Sequence, residues 1–386
     1  MKIGLVCPYN LFRGGGVQEC VYALQTELNR RGHEVKIITP LPRDYTGRQP
    51  KNVLFIGNAA QVKSFHTTSQ LSVSVGTDAV DTMLFEEQFD VLHFHEPWVP
   101  MVSRQILGRS NSVNIATFHA KLPETVMNRT IERVITPYTK SIMKDLDALT
   151  AVSDAAAEYV HSLSQKPVHI IPNGIDLAEY QDASFKKQGK THLPQKIENR
   201  ERKTILYVGR LEKRKGIPFL LKAYSELVSN HPNVRLIIAG DGPDRQKLEW
   251  WVEENNLPRV TFKGFVKQSE KVRLMRTCDL FCSAARYGES FGIVLLEAMA
   301  SGLVTVAGNN SGYTAVMRGR GALSIVNPKD TVEFSRRLEL LLYDEGLRKA
   351  WREWADDYVQ QFSYARIVDQ YEALYSQATA RKNARR

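Results

Sequence analysis

The chain alternates short apolar runs with longer segments in which apolar residues recur at helical spacing. Residues 2–6 form the first apolar run, a glycine-rich turn follows, and residues 17–31 show helical periodicity before a second run at 35–39. A strand, a glycine turn, a helix and a strand in this order predict a βαβ unit with parallel strands. Further predicted strands lie at 89–97, 113–119, 148–152 and 168–171.

The same alternation starts again after a polar break. Residues 181–202 are charged, contain proline and show no apolar period, so we predict a linker there. New strands are predicted at 204–209, 234–239, 260–263, 280–282 and 304–307. We therefore predict an α/β protein with an N-terminal domain at 1–180, a C-terminal domain at 203–362, and parallel sheets that face each other across a cleft.

Two segments depart from this pattern. Residues 51–75 contain one predicted strand, at 53–56, and then a polar segment without a clear period. Residues 124–146 are predicted to be helical, and their basic side chains indicate either a solvated face or a docking surface for anionic lipid. The basic residues in and beside this segment are Lys121, Arg129, Arg133, Lys140 and Lys144.

The last part of the chain has apolar residues at helical spacing, namely Ile367, Val368, Tyr371 and Leu374. This spacing predicts a terminal helix at about 363–380. We expect the basic tail after it, residues 381–386, to be mobile and to add to the attraction for an anionic membrane.

The charge balance narrows the classes of partner. The chain has 52 Lys and Arg against 42 Asp and Glu, a formal net charge of +10 and a pI of about 9.3. Such an excess indicates a polyanionic partner. The basic residues are dispersed and are not interleaved with aromatic residues, so a phosphorylated ligand or an anionic membrane surface fits better than nucleic acid.

The four cysteines, Cys7, Cys20, Cys278 and Cys282, have neither a disulfide framework nor the spacing of a zinc site. We expect buried free thiols in a reducing cytosol. No apolar run reaches the length that spans a bilayer, and the N-terminal run is too short for a signal peptide. These features predict a cytoplasmic protein.

Polar side chains follow several predicted strands of the first half. His93 and His95 alternate along one strand face without a further ligand nearby, so hydrogen bonding is favoured over metal binding. Asp145 and Asp147 form a D-x-D pair, which a helix-to-strand turn explains. His119 ends its strand and is expected to point into the cleft, which makes it the stronger functional candidate.

Three consecutive glycines, Gly14, Gly15 and Gly16, follow the first strand. They do not have the G-x-G-x-x-G spacing of a dinucleotide-binding turn. Consecutive glycines let the backbone approach a ligand and leave N–H groups free, although a flexible turn is the alternative. The loop follows a strand's carboxyl end, where open α/β sheets bind ligands, and this position favours ligand binding.

The second half carries a candidate anion site. Arg210 and Lys215 follow the strand at 204–209, and such a cation pair suits a diphosphate, although a basic surface loop would look the same. Residues 288–299 predict a turn and a helix start, whose unpaired N–H groups suit an anion or a polar sugar. Glu289 and Glu297 flank this start. Cations for phosphate and carboxylates for hydroxyl groups together indicate a nucleotide-sugar site.

These motifs resemble the retaining GT-B glycosyltransferases of family 4. The resemblance rests on Gly209-Arg210 with Lys215-Gly216, on the glycine turn at 240–242, and on two glutamates eight apart. It covers nearly the whole chain and implies two Rossmann-like domains, with a C-terminal helix that crosses back to the first domain. Within the family, residues 7–9, 15–18, 93–97 and 116–119 are most similar to the mycobacterial phosphatidylinositol mannosyltransferases.

The resemblance also implies roles for individual residues. Arg210 and Lys215 would bind and neutralise the donor diphosphate, while Glu289 would hold the hydroxyls of the sugar and Glu297 the ribose. The implied catalytic residues are His119, Arg210, Lys215 and Glu289. The implied donor-binding residues are Gly15, Gly16, Arg210, Lys215, Val266, Glu289, Ser290, Phe291, Gly292, Ile293, Val294 and Glu297. The implied acceptor-binding residues are Tyr9, Gln18 and His119.

The activity that the resemblance implies is mannosyl transfer from GDP-mannose to a phosphatidylinositol-type lipid, by a monomer at the inner face of the plasma membrane. Retention would follow a front-side mechanism that needs no metal or other cofactor.

Two alternatives to this activity stay open. Residues 266–269, near the expected base pocket, are less acidic than in the mannosyltransferases, which weakens the case for guanine. The enzyme could therefore be a glucosyl- or N-acetylglucosaminyltransferase that uses a UDP-sugar on another lipid or a soluble acceptor. A noncatalytic protein that binds nucleotide-sugars or membranes is the alternative from another class.

Overall fold

The computed structural model describes residues 1–43, 45–64, 67–74, 76–99, 102–120, 126–181 and 202–385. The chain divides into two compact units. The first joins Met1–Gly174 to Tyr364–Arg386, and the second is Ile175–Ser363. The predicted linker at 181–202 lies almost wholly outside the described residues, as do Lys121 and the rest of 121–125.

The first unit contains one mixed sheet flanked by helices. Its strands are β1 (Lys2–Val6), β2 (Glu34–Leu41), β3 (Val53–Ser64), β4 (Thr67–Ser74), β5 (Val91–His95), β6 (Val113–Phe118), β7 (Ala148–Ala151) and β8 (Val168–Ile170). Its helices are α1 (Gly16–Arg30), α2 (Thr77–Glu87), α3 (Val102–Leu107), α4 (Val126–Met143), α5 (Asp154–Leu163) and the C-terminal helix (Tyr364–Asn383).

The strand order in this sheet is β4-β3-β2-β1-β5-β6-β7-β8. Its pairs are parallel except for β3 with β4. Strand β1 lies at the centre, with Ile3 opposite Val35 of β2 on one side and Val91 of β5 on the other. The order reverses between β1 and β5, and the loops that leave these two strands therefore open the crevice where such sheets bind ligands.

The second unit repeats this doubly wound arrangement with parallel strands. Its strands are β9 (Thr204–Val208), β10 (Arg235–Ala239), β11 (Val260–Gly264), β12 (Leu280–Ser283), β13 (Thr305–Gly308) and β14 (Ile325–Val326), in the order β11-β10-β9-β12-β13-β14. Its helices are α6 (Leu177–Tyr180), α7 (Ile217–Asn230), α8 (Arg245–Glu254), α9 (Gln268–Thr277), α10 (Ile293–Ala300), α11 (Ser311–Val316), α12 (Thr331–Tyr343) and α13 (Glu345–Val359). Short 3₁₀ helices cover Lys213–Lys215, Gly319–Ser324 and Gln360–Phe362.

In this sheet the order reverses between β9 and β12, whose residues Leu206 and Phe281 lie opposite each other. The two loops that leave these strands carry the predicted cations and the predicted glutamate. The parallel α/β architecture in two units therefore confirms the fold class expected from the sequence. Helix α6, assigned to the first domain from the sequence, belongs to the second unit.

The C-terminal helix packs onto the first unit, as predicted. Its apolar face, which includes Ile367, Val368 and Tyr371, is buried in the same core as β1 and α1. The helix continues into the basic tail as far as Asn383, and Lys382 Nζ lies 2.9 Å from Asp147 Oδ2 of the first unit.

The segment at 57–75 also differs from its prediction. Strand β3 extends to Ser64 and pairs with β4 in an antiparallel hairpin, with Gln61 opposite Gln70. Thr and Val favour strands even when polar neighbours hide the alternation, and the absence of a clear apolar period made this hairpin hard to predict.

All four cysteines are free and buried, as expected. In the part of the chain that the structure describes, every helix is too short or too polar to cross a membrane.

Candidate functional site

The loop after β9 presents the predicted cations through a tight backbone arrangement. Residues Lys213–Lys215 form one turn of 3₁₀ helix, and Gly216 then adopts a φ of 67° before α7 begins. A Cβ atom on Gly216 would lie 2.1 Å from the carbonyl oxygen of Ala284. Only glycine fits this contact, which draws the loop against the end of β12.

The loop after β12 brings Glu289 to the same place. Helix α10 begins at Ile293, within the segment where a helix start was predicted, and Gly292 precedes it with a φ of 102°. A Cβ atom on Gly292 would lie 2.6 Å from the ring of Tyr313, so this turn also requires glycine. Glu289 therefore lies in the turn before the helix, with its side chain only 12% exposed.

The two loops meet in a cluster of ion pairs. Lys215 Nζ lies 2.7 Å from Glu289 Oε1, and Arg214 Nη1 donates to the same oxygen. Arg214 Nε also donates to Glu212 Oε1 at 2.6 Å. Arg214 thus joins two carboxylates, while Lys215 contacts one of them.

Arg214 has more ion-pair partners in this cluster than Lys215 has. Its burial alone would lower the pKa of the guanidinium, but the charges of Glu289 and Glu212 outweigh burial and raise that pKa above its usual value. Arg214 therefore stays charged and fixes the position of the Glu289 carboxylate.

Arg210 is placed differently. Its side chain is 51% exposed, and its Nε lies 3.9 Å from Glu212 Oε2. The buried Tyr207 hydroxyl donates to the Arg210 carbonyl oxygen at 2.9 Å and anchors the backbone there. The anchored backbone and the exposed guanidinium leave Arg210 available to an anion at the end of β9.

The second predicted glutamate, Glu297, lies in a separate pair. It is buried on α10, and Lys271 Nζ of α9 lies 2.8 Å from its Oε1. The ring of Tyr180 lies under the same ammonium group, with its centroid 5.9 Å from Nζ. The pKa of the Tyr180 hydroxyl is raised, first by burial and then by the nearby charge of Glu297.

The other predicted donor residues surround these pairs. Val266 is half-buried in the loop after β11, and Ser290 and Val294 are half-buried near the start of α10. Phe291 is buried and its ring packs edge-on against Phe362, with centroids 6.0 Å apart. The Phe291 side chain thus acts in packing, while its backbone belongs to the turn.

The first unit holds the remaining candidates at the ends of β1, β5 and β6. Gly15 is the N-cap of α1, which Gly16 begins. Gln18 Nε2 donates to the carbonyl oxygen of Asn10 at 3.3 Å, and Tyr9 is half-buried beside them. The Gln18 bond closes the β1 loop onto the first turn of α1.

His119 lies within a buried array of three imidazoles. His95 Nδ1 is 2.8 Å from His119 Nε2, and the rings of His93 and His95 pack with centroids 4.3 Å apart. Burial lowers the pKa of His119 to about 4 and that of His93 to about 3. All three rings are therefore neutral at physiological pH, in keeping with the predicted hydrogen-bonding role of His93 and His95.

Hydroxyl groups determine the tautomer of His93. Thr150 Oγ1 donates to the carbonyl oxygen of Ala116 at 3.1 Å, so Thr117 Oγ1 donates to Thr150 across 2.5 Å. Thr117 must then accept from His93 Nε2, 2.6 Å away, and His93 Nδ1 accepts from the Tyr375 hydroxyl at 2.7 Å. The C-terminal helix thereby anchors the array.

Glu96 holds the backbone that carries His119. Its buried carboxylate accepts from the amide of His119 and, at 2.7 Å, from the amide of Ala120. Burial raises the pKa of Glu96 to about 7, although these amide bonds oppose the shift. Glu96 also has a φ of 54°, an unusual backbone conformation that fits a loop shaped for a ligand.

The sequence did not reveal Arg214, Glu212 and Lys271 as members of the site. Arg214 lies directly before Lys215, and a search for a second cation beside the predicted one would have found it. Lys271 comes from another helix and gave no local signal. Asp147, half of the D-x-D pair, accepts from the amide of Asn114 at 2.8 Å and so serves the predicted turn.

Comparison with known proteins identifies the family to which this chain belongs. Residues 14–179 match the family model described as Glycosyltransferase Family 4, and residues 190–357 match the model described as Glycosyl transferases group 1. A phosphatidyl-myo-inositol mannosyltransferase of Mycolicibacterium smegmatis is 31% identical over 379 residues, which cover 97% of this chain and 93% of that protein.

More distant similarities extend the comparison. The alpha-monoglucosyldiacylglycerol synthase of Streptococcus pneumoniae is 24% identical, covering 80% of this chain and 71% of that protein. The solved structure of a sucrose-phosphate synthase from Thermosynechococcus elongatus superposes with a TM-score of 0.76 at 21% identity, covering 98% and 99% of the two chains. That superposition shows the shared GT-B fold. Because the 31% identity to the mannosyltransferase extends over nearly the full length of both proteins, the chain belongs to glycosyltransferase family 4.

Proposed function

We propose that this protein is a retaining mannosyltransferase that moves mannose from GDP-mannose to a phosphatidylinositol-type lipid. The observation that carries the proposal is the 31% identity to a phosphatidyl-myo-inositol mannosyltransferase along nearly the full length of both chains. The ion-pair cluster of Arg214, Lys215 and Glu289 supports the proposal. It places positive charge for a phosphate beside a carboxylate that can accept hydrogen bonds from sugar hydroxyls, at the point where the strand order of the second sheet reverses.

The donor site uses three kinds of contact. Arg210 and Lys215 neutralise the diphosphate, since a guanidinium fork and an ammonium point charge suit its oxygens. Glu289 accepts hydrogen bonds from the hydroxyls of the sugar, and Glu297 accepts from the ribose. The amides of Phe291, Gly292 and Ile293 donate at the start of α10, where the partial positive charge of the helix favours phosphate.

The reaction that these groups support is a front-side substitution. The bond between the sugar C1 and the diphosphate oxygen breaks, and its electron pair stays on the diphosphate. The acceptor oxygen bonds to C1 on the same face, and its proton passes to the departing phosphate oxygen. Arg210 and Lys215 stabilise the charge that develops on the leaving group, so we propose that no metal ion is needed.

The acceptor residues belong to the first unit. We assign Tyr9, Gln18 and His119 to the acceptor, with His119 also serving the transferred sugar. His119 is neutral, because burial holds its pKa at about 4. It therefore acts as a hydrogen-bonding group. The chain works as a monomer at the inner face of the membrane, to which its net charge of +10 attracts it.

A glucosyltransferase that uses a UDP-sugar is the second candidate. The S. pneumoniae relative is named for a product that carries glucose on diacylglycerol, and it matches 80% of this chain. The same cluster of cations and carboxylates would serve either donor, because it would bind the diphosphate and the sugar hydroxyls and would not distinguish guanine from uracil.

A donor-by-acceptor transfer screen tests the proposal. Purified protein is incubated with GDP-mannose, UDP-glucose or UDP-N-acetylglucosamine and with vesicles that contain phosphatidylinositol or diacylglycerol, and products are read by mass spectrometry. We expect mannosyl-phosphatidylinositol. Transfer from a UDP-sugar alone would replace the mannosyl assignment with the second candidate, and no transfer from any donor would contradict both.

Vesicle binding tests the membrane part separately. We expect binding to anionic vesicles that weakens steeply as salt rises from about 50 to 500 mM, because the Debye length shrinks over that range. Equal binding to neutral and anionic vesicles would rule out electrostatic attraction.

A further inference from the structure

Three buried side chains of types that ligate metal ions lie close together in the first unit. Cys20 comes from α1, His95 from the end of β5 and His119 from just past β6. One ligand atom of each lies within 4.8 Å of the others. Their exposed fractions are 3%, 0% and 9%, so the cluster lies inside the unit, and His119 is its most exposed member.

His95 is not fully satisfied in this cluster. Its Nδ1 contacts His119 Nε2 at 2.8 Å, but its Nε2 has no hydrogen-bond partner among the described residues although it is fully buried. A buried ring nitrogen without a hydrogen-bond partner costs free energy in an apolar setting. In the tautomer that leaves Nε2 unprotonated, this nitrogen can bind a metal ion through its lone pair.

The donor set points to a particular class of ion. A thiolate and two imidazoles favour borderline and soft ions such as Zn²⁺ and Co²⁺. Mg²⁺ and Ca²⁺ prefer oxygen ligands, and the three residues of this cluster offer none from a side chain. The site therefore differs in kind from the divalent-cation sites of many sugar-nucleotide enzymes.

The distances are within reach of tetrahedral coordination. Zinc bonds of about 2.0 Å to nitrogen and about 2.3 Å to sulfur place the ligand atoms of a tetrahedral site with one sulfur and two nitrogens roughly 3.3 to 3.5 Å apart. The present separations reach at most 4.8 Å, so movement on the order of 1 Å would complete a three-ligand site with a water in the fourth position.

We propose that Cys20, His95 and His119 bind Zn²⁺ and that the bound ion inhibits sugar transfer. On binding, the Cys20 thiol loses its proton to solvent and its sulfur bonds to the metal, and one nitrogen of each ring donates its lone pair. The His95–His119 hydrogen bond opens. The inhibitory part rests on the proposed function, because the metal removes His119 from the acceptor and the sugar.

Cobalt binding tests the site without reference to activity. The full, untagged chain is titrated with Co²⁺ under reducing conditions, and the near-ultraviolet charge-transfer band from thiolate to cobalt is recorded. We expect a band that saturates at one equivalent and that Zn²⁺ displaces. Cys20→Ser should remove this band, whereas Cys7→Ser, which changes the other buried thiol of the same core, should keep it.

Each outcome decides one part of the proposal. A wild-type chain without the band, or a band that survives Cys20→Ser, would overturn the site. If Cys20→Ser does not fold, a rise in the melting temperature of the wild type at one equivalent of Zn²⁺, together with the cobalt band, supports the site, and absence of both refutes it.

Activity then tests the second part. At one equivalent of Zn²⁺ we expect at least about a tenfold loss of transfer rate, recovered with a chelator. A normal cobalt band together with a transfer rate that Zn²⁺ does not change would support the metal site but contradict the inhibition, and His119 would then have no role in the proposed reaction. Loss of transfer in Zn²⁺-free protein would instead count against the proposed function alone.

Discussion

Lys215 Nζ lies 2.7 Å from Glu289 Oε1, which pairs the predicted phosphate cation directly with the predicted sugar-binding carboxylate. The free protein thus keeps both groups in place before any donor arrives. Such preorganisation lowers the cost of ordering two long side chains when the substrate binds. It also means that each group supports the position of the other.

Lys215→Ala should lower kcat/KM for transfer by about 100-fold or more, because it removes a cation that we assign to the leaving diphosphate. The matched control is Lys213→Ala, an exposed lysine in the same turn of 3₁₀ helix. Initial rates measured over a range of donor concentrations check this prediction. Equal losses in the two variants would show that general positive charge, rather than the position of Lys215, matters.

Arg214→Gln should destabilise the fold by about 1 to 3 kcal/mol, since it removes the 2.6 Å ion pair to the buried carboxylate of Glu212 and leaves that carboxylate the longer, 3.9 Å contact with Arg210. Urea unfolding gives the free energy of each variant. In the double variant with Glu212→Gln the loss should be smaller than the sum of the two single losses, because both ends of the pair are then neutral. Strict additivity would contradict the coupling.

Lys271→Ala should weaken GDP binding by about tenfold, because the buried carboxylate of Glu297, which we assign to the ribose, loses the ion pair with Lys271 that holds it in position. Isothermal titration calorimetry measures the effect. Lys267→Ala is the control, since Lys267 is exposed at the N-cap of α9. An affinity unchanged in Lys271→Ala would remove this pair from the nucleotide site.

Tyr375→Phe should cost about 0.5 to 1.5 kcal/mol of unfolding free energy, because His93 Nδ1 loses its donor while the ring packing stays. Tyr371→Phe should cost less, since its hydroxyl lies 3.2 Å from Thr117, which keeps other partners. Chemical denaturation ranks the two variants, and the reverse order would show that the Tyr375–His93 hydrogen bond is the weaker of the two contacts.

Acid should loosen the attachment of the C-terminal helix through Glu372. Burial alone would raise the pKa of this carboxyl, but hydrogen bonds from His33 and Arg31 outweigh it and hold the pKa below its usual value. The unfolded chain therefore binds the proton more readily, so the stabilisation is present above about pH 4.3 and is lost as pH falls.

The difference in unfolding free energy between wild type and Glu372→Gln checks this prediction. We expect about 1 kcal/mol near neutral pH and a difference that shrinks toward pH 3. Asp369→Asn provides the comparison, because Asp369 pairs with Arg31 from a more exposed position and should contribute less. A difference for Glu372→Gln that does not change with pH would contradict the assignment.

The sequence was most informative where a local pattern carries the structure. Gly216 with the cations before it, and Gly292 with a glutamate on either side of it, all follow from short motifs, and the structure places Lys215 against Glu289. Arg214 and Lys271 were missed because their importance depends on partners from distant segments. The hairpin of β3 and β4 was missed because polar strands lack the apolar period from which strands are recognised.

The position of the C-terminal helix affects the order in which the two units can fold during synthesis. Its residues Ile367, Val368 and Tyr375 complete the core of the first unit, which begins at Met1. Most of the first unit therefore leaves the ribosome before the second unit, but its core can close only after the second unit has been synthesised. The second unit can thus fold while the core of the first is still incomplete. Until the final helix arrives, the surface of α1 that it covers stays exposed to chaperones and proteases.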